Sequence, residues 1–227
     1  MLPMLAATVL SQTPQTFSRE VKVQVSGQFL AYLPEGYDPK SRKKWPLIMF
    51  LHGSGERGTD LNKVKLHGIP KEIEAGRKVA AVVIAPQCPD NGWWDSNMLI
   101  ALLDEAESRY KIDKDRGIVT GLSMGGFATW DLASRTPHRF AAIAPVCGGG
   151  DPAKIGVAKD LPIWTCHGDA DQAVPVAQTD ALVAALKAAG ATNVRYDRMP
   201  GVPHNSWTAF YAQDELYVWM LAQKRKR

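Results

Sequence analysis

Residues Thr120 to Trp130, TGLSMGGFATW, decide the fold. They follow the apolar run GIVT, and their second half continues to Ser134 as a helix candidate, Met124 to Ser134. A strand that turns straight into a helix crowds the chain at the turn, and only small flanking residues let the two elements approach; here Gly121 and Gly125 bracket Ser123 in a G-x-S-x-G. The central residue is forced into strained backbone geometry, which stands Ser123 clear of the sheet at a helix N-terminus. The next backbone N–H, on Met124, is then free to hold negative charge with the helix dipole behind it. In isolation the same letters describe a Gly-rich turn capped by a serine, so their meaning rests on what surrounds them.

Working outward, PLIMFLHG, VAAVVIAPQ, RGIVTG, RFAAIAPV and LPIWTCHG are short, nearly continuous apolar runs, the pattern of parallel strands covered on both faces. Met98 to Tyr110 and Val176 to Ala189 carry apolar residues at three- and four-residue steps; Asn97 is placed to cap the first and Gly190 to stop the second. Before this alternation, FSREVKVQV and FLAYLP around Ser26-Gly27 read as a β-hairpin at a sheet edge. The sum is an α/β fold: a mostly parallel central sheet with an N-terminal antiparallel hairpin and helices on both faces. Residues 17–227 read as one domain, and residues 1–16 as a flexible N-terminus or the remnant of a secretory signal. No insertion is large enough to form a lid, which predicts an open cleft.

Bulk properties exclude several classes. The 227 residues are 45% hydrophobic and 22% charged, with a net charge of +4; the core is ample, and scattered Lys and Arg make no nucleic-acid stripe. The closing KRKR reads as a frayed, solvated helix end. No apolar run reaches the ~20 residues of a membrane span. MLPMLAATVLSQ has a short apolar segment with no Lys or Arg before it, so export and a cytoplasmic location both stay open. Cys88, Cys147 and Cys166 cannot all pair and lack metal-ligand spacing, which argues against a disulfide framework or a zinc site.

In such sheets the loops leaving the strand carboxyl ends gather on one rim, and chemistry belongs there. A serine hydroxyl is a poor nucleophile at neutral pH and needs a base, which itself needs an orienting carboxylate. Of five histidines, His52 and His167 sit in His-Gly pairs at strand ends and read as satisfied turn residues; His138 precedes a strand, on the opposite rim; His67 lies in an unpatterned loop. His204, in GVPHNSW after the last strand candidate NVRYDRMP, is the best-placed base. An acid from HGDADQ completes the chain order Ser, Asp, His of α/β hydrolases. Asp169 and Asp171 would point the same way in an extended segment, so geometry leaves both open. LHGSGERG, a glycine-rich turn after a strand, can aim backbone N–H groups at a developing oxyanion, with Ser54 N–H beside that of Met124.

Together LHGSGERG, APQCPDNGWW, GLSMGG, HGDADQAVPV and HNSWTAFY resemble the phospholipase/carboxylesterase group of the α/β-hydrolase superfamily, particularly its predicted-peptidase or polyhydroxybutyrate-depolymerase-like branch. The resemblance runs from about Phe17 to the C-terminus. It implies a nucleophile at Ser123, a base at His204, an oxyanion hole around Ser54 and Met124, and, through H-G-x-x-D, an acid at Asp171. Asp169 is then expected to bond N–H groups of its own loop. The resemblance also puts an aromatic after the PQCP turn near the acyl pocket, so Trp93 or Trp94 is expected to line the site. Trp207 is expected to buttress the His204 loop, and Glu56 and Arg57 to pair and fix theirs. The implied activity is cleavage of carboxylic esters of short to medium acyl chains through an acyl-enzyme, with no metal or organic cofactor. The same machinery would serve a thioesterase, a peptidase or a feruloyl or acetyl esterase of carbohydrates; a binding protein on this scaffold is the alternative from another class. The expected partner is a small-molecule or polymer-derived ester, without nucleic acid or stable membrane insertion; nothing in the sequence sets the oligomeric state.

Overall fold

The computed structural model describes residues 14–20, 22 and 24–225; most of the N-terminal segment read as a signal remnant lies outside them. Seven strands form one sheet: β1 (Phe29–Tyr32), β2 (Trp45–Leu51), β3 (Val82–Pro86), β4 (Ile112–Leu122), β5 (Ala142–Val146), β6 (Ile163–Gly168) and β7 (Val194–Met199). Their order across the sheet is β1-β3-β2-β4-β5-β6-β7, all parallel except β1. β2, β3, β5 and β6 are buried along their whole length, which is why each reads as an unbroken apolar run.

The antiparallel edge strand is present, but its partner is β3, with Phe29 opposite Pro86. The described residues of the preceding arm, 14–28, form no strand. Of the expected hairpin, the described residues show one antiparallel strand laid on the sheet, while Val21 and Val23 of its first half lie outside them. Alternation fits either partner equally well, because it fixes the faces of a strand and not its neighbour.

Side chains alternate to two cores. Leu47, Met49 and Leu51 of β2 meet helices α2 (Ser96–Arg109), α3 (Met124–Arg135) and α4 (Ala177–Ala188). Ile48 and Phe50 meet α1 (Gly68–Glu74), α5 (Trp207–Ala212) and α6 (Asp214–Ala222). Trp130 and Trp164 are completely buried, one in each core, and burial of such a ring contributes on the order of 3 kcal/mol. Helix α2 begins two residues before its expected start, capped by Asp95, whose carboxylate accepts the Asn97 N–H at 2.8 Å. Asn97 is a recipient of the cap. The Gly190 stop holds, with φ of +92° just past α4.

The C-terminus also differs from expectation. Arg225 is anchored: its guanidinium meets Asp115 at 2.8 Å and the His138 carbonyl, and its N–H donates to Asp115 O. Lys226 and Arg227 lie outside the described residues. No helix among those described is long and apolar enough to cross a membrane.

Candidate active site

Strand register brings the carboxyl ends of β2, β4, β5, β6 and β7 to one rim: Leu51 pairs with Gly121, Leu122 with Val146, and Gly168 with Met199. At the end of β4 the chain turns into α3 through Ser123, whose φ of +52° and ψ of −117° lie in a region a β-substituted residue rarely occupies. Its neighbours enforce this. A Cβ on Gly125 would stand 2.0 Å from the Leu51 carbonyl oxygen, and one on Gly121 would stand 2.5 Å from the Gly125 oxygen. Only glycines allow β2, β4 and α3 to meet there.

Ser123 Oγ lies 2.9 Å from His204 Nε2, and His204 Nδ1 lies 2.6 Å from Asp171 Oδ2. His204 opens a short 3₁₀ turn (His204–Ser206) and is held edge-on to the Trp207 ring at 5.1 Å. Its loop passes close over β6, where a Cβ on Gly168 would come within 2.0 Å of the Val202 carbonyl oxygen. The glycine of the HGD segment thus serves the approach of the histidine loop.

The Asp171 side chain is fully buried. Its Oδ1 accepts the N–H groups of Ala173 and Val174, each at 2.9 Å. Burial pushes its ionisation up, but the His204 hydrogen bond and these two N–H groups outweigh that, and the carboxyl is held below its ordinary range. It is a carboxylate at neutral pH. Asp169 behaves differently from expectation: it leaves its own loop alone, accepts Gly201 N–H at 2.7 Å and pairs with Arg198 at 2.9 Å. It ties the loop that carries His204 to β6.

Met124 opens α3 and Ser54 opens a 3₁₀ turn (Ser54–Glu56), so both N–H groups precede any acceptor within their own helices. The two turns abut, with a Cβ on Gly53 reaching 3.6 Å from Ser123 Cβ. The glycine turn is anchored from below. His52 is buried, its Nδ1 2.6 Å from Gly53 O and its Nε2 3.0 Å from Cys88 N. A carbonyl only accepts and an N–H only donates, so the ring is neutral with its proton on Nδ1. Burial drives its ionisation down to about 4. Glu56 Oε2 accepts Gly53 N–H at 2.9 Å, while Arg57 donates to Ser54 O and to Gly92 O. Both residues fix the loop, by separate bonds and not by the expected mutual pair.

The two candidate tryptophans part company. Trp94 is buried and donates its indole N–H to His52 O at 3.1 Å. Trp93 is 60% exposed and stands edge-on to Phe127, one turn along α3 from Ser123. Between them and α3 opens a cleft of about 320 Å³ that Asn97, Asp131 and Arg135 also line.

Two features escaped the sequence reading. His67 carries no pattern in the sequence, yet its ring packs on Trp207 at 5.5 Å and its Nε2 lies 3.7 Å from Glu56. His167 does more than satisfy a turn: its Nε2 is 3.1 Å from Asp171 Oδ2. The four-residue spacing from His167 to Asp171 is the only hint the sequence carries. As for metals, a thiol, a carboxylate and an imidazole from Cys147, Asp171 and His204 lie within 4.8 Å of one another. Burial pushes the Cys147 thiol up to about 12, and the carboxylate is already filled by N–H donors. The trio is poorly prepared to ligate.

A family model described as Phospholipase/Carboxylesterase matches residues 94–215. Among curated proteins, "Probable feruloyl esterase C" of Aspergillus terreus is 27% identical over 66% of this chain and 56% of its own length. The bifunctional acetylxylan esterase/xylanase XynS20E of Neocallimastix patriciarum is 27% identical over 66% of this chain and 22% of its own. The chain spans about half the length of the first curated relatives it matches. Of solved structures, a thermostable esterase superposes with TM-score 0.74 at 33% identity, over 87% of this chain and 59% of that one. The feruloyl esterase module from Clostridium thermocellum, at 19% identity and TM-score 0.65 over 88% and 86%, shares the fold.

Proposed function

This chain belongs to the phospholipase/carboxylesterase family, and from that premise we propose that it is a serine hydrolase of carboxylic esters of short to medium acyl chains. The observation that carries the reading is the continuous path from Ser123 Oγ through His204 to Asp171, at 2.9 and 2.6 Å. Ser123 Oγ attacks the ester carbonyl while its proton passes to His204 Nε2. Asp171 holds Nδ1–H and stabilises the imidazolium without itself taking the proton. The N–H groups of Ser54 and Met124 receive the oxyanion, an arrangement in which each donor contributes about 3–4 kcal/mol to lowering the barrier. Nε2–H then goes to the departing alcohol. Water, deprotonated by the same nitrogen, frees the acid from Ser123.

The test is turnover of p-nitrophenyl acetate and butyrate. Ser123→Ala should remove it, and turnover in that variant at the wild-type level would discard the assignment. Thioesters and peptides of the same acyl group measure how far the machinery extends, since bond preference is set by pocket shape. Failure of a fluorophosphonate to label folded wild-type protein would favour a binding protein on this scaffold.

A second reading has its own observation. The Trp93 cleft joins an exposed aromatic face to amide, carboxylate and guanidinium groups, a surface suited to a sugar ring with its apolar faces and hydroxyl rim. Relatives named as feruloyl and acetylxylan esterases point the same way. Under this reading the alcohol side of the ester is a carbohydrate lying along Trp93 and Arg135. Trp93→Ala should then lower kcat/KM for an acetylated xylo-oligosaccharide at least 5-fold relative to its effect on methyl acetate. Equal effects on both would remove the sugar from the cleft.

A further inference from the structure

The proton path proposed above does not use His167, yet no side chain other than His204 binds Asp171 more directly. None of the His167 side chain is exposed. Its Nε2 lies 3.1 Å from Asp171 Oδ2 and 2.9 Å from the Val174 carbonyl oxygen. A carboxylate and a carbonyl are acceptors only, so the proton resides on Nε2. On the other side, Nδ1 is 2.7 Å from Thr179 Oγ1, and that hydroxyl is 3.1 Å from Gly148 O. Whether the Thr179 proton goes to Nδ1 or to the Gly148 carbonyl, Nε2–H stays shared between Asp171 Oδ2 and the Val174 carbonyl oxygen.

Asp171 therefore receives four N–H groups: Ala173 and Val174 on Oδ1, His204 and His167 on Oδ2. The two imidazoles share one oxygen. We propose that His167 is a positioning residue for the acid and base: its Nε2–H keeps Oδ2 turned toward His204 and draws charge away from that oxygen, setting how strongly it holds the His204 imidazolium. The inference rests on the ester hydrolase reading and acts wholly through Asp171.

Two effects of removing the donor follow. Oδ2 keeps only His204 as a side-chain partner and is held less firmly, although Ala173 and Val174 still grip Oδ1, and this lowers kcat more than it raises KM. Charge also concentrates on Oδ2, which favours the imidazolium and moves the acid limb of kcat/KM to higher pH. A residue that only packed β6 would lower the folded fraction without moving the limb. His167→Asn removes the reach to Asp171 while its amide can still meet Thr179; His167→Gln keeps an N–H near the Nε2 position.

The experiment is the pH profile of kcat/KM for p-nitrophenyl butyrate, normalised to sites labelled by a fluorophosphonate. His167→Asn should lose about 10-fold or more in kcat, as for loss of other groups that orient a catalytic residue, with its acid limb raised by about half a pH unit. His167→Gln should recover most of both. A profile for His167→Asn superimposable on that of the wild type, or Asn and Gln variants that behave alike, would overturn the proposal. If the Asn variant does not fold, ¹⁵N-histidine spectra of the wild type decide: Nε2 of His167 should carry its proton from pH 6 to 9, and an unprotonated Nε2 overturns the proposal. Independence of turnover from Ser123 would instead sink the hydrolase reading, and the spectrum would still report on His167.

Discussion

Acid should loosen the glycine turn before it touches the rest of the fold, and His52 sets the size of the effect. Its imidazole ionises near 6.5 in an unfolded chain and at about 4 in the protein, burial being the chief cause. The native state thus binds fewer protons than the unfolded state between pH 6.5 and 4, so stability rises with pH through that window and is lost as pH falls. At about 1.4 kcal/mol per pH unit, the loss from this group is about 2 kcal/mol at pH 5 and about 3 kcal/mol below pH 4. For a chain of this size 2 kcal/mol corresponds to a melting shift of about 4–8 °C. The assay is thermal melting at pH 7 and pH 5 for the wild type and for His52→Asn, whose amide can still donate to Gly53 O but does not titrate. The variant should melt lower at pH 7, because Cys88 N–H loses its acceptor. Its further drop on going to pH 5 should be smaller than that of the wild type by 4–8 °C. An equal drop in both proteins would show that His52 is not the neutral, buried ring described above.

The remaining predictions concern the rim. Asp171→Asn should lower kcat by about 10⁴-fold through a misoriented imidazole, whereas Asp169→Asn should keep activity within about 10-fold while melting lower, since its bonds to Gly201 and Arg198 hold a loop; ester kinetics and melting of both variants check this, and the reverse order of activities would move the acid to Asp169. Gly125→Ala should destabilise by more than about 3 kcal/mol in urea titration, because its new methyl meets the Leu51 carbonyl oxygen at 2.0 Å. Gly27→Ala, where a Cβ meets nothing within 4 Å, is the control and should leave the midpoint unchanged.

What the sequence disclosed followed from how local each signal is. The five apolar runs and the bracketed Ser123 are local patterns, and strands and elbow came out where those patterns lie. His204 was legible through its place after the last strand. Spacing does not separate Asp169 from Asp171, since the two share a direction; the proposal of Asp171 as the acid is supported by its inward turn onto the N–H groups of Ala173 and Val174 and its contact with His204. The strand pairing of Phe29–Tyr32, the anchoring of Arg225 to Asp115 across 110 residues and the contact of His67 with Trp207 are all long-range. Such partners leave no periodicity in the chain. The cap falls on Asp95 and not on Asn97 for a different reason: both are good capping residues, and local geometry alone chooses between them.

The exposure of Trp93 makes the cleft optically addressable. Of seven indoles, those of Trp45, Trp94, Trp130 and Trp164 are buried, and those of Trp207 and Trp219 partly so. Trp93 alone faces water over most of its surface, so a collisional quencher such as iodide should extinguish chiefly the red edge of the emission spectrum. Whatever settles against that ring should shield it from the quencher, with no chromogenic substrate and no turnover, so occupancy of the rim can be followed by light even in a protein whose Ser123 has been removed.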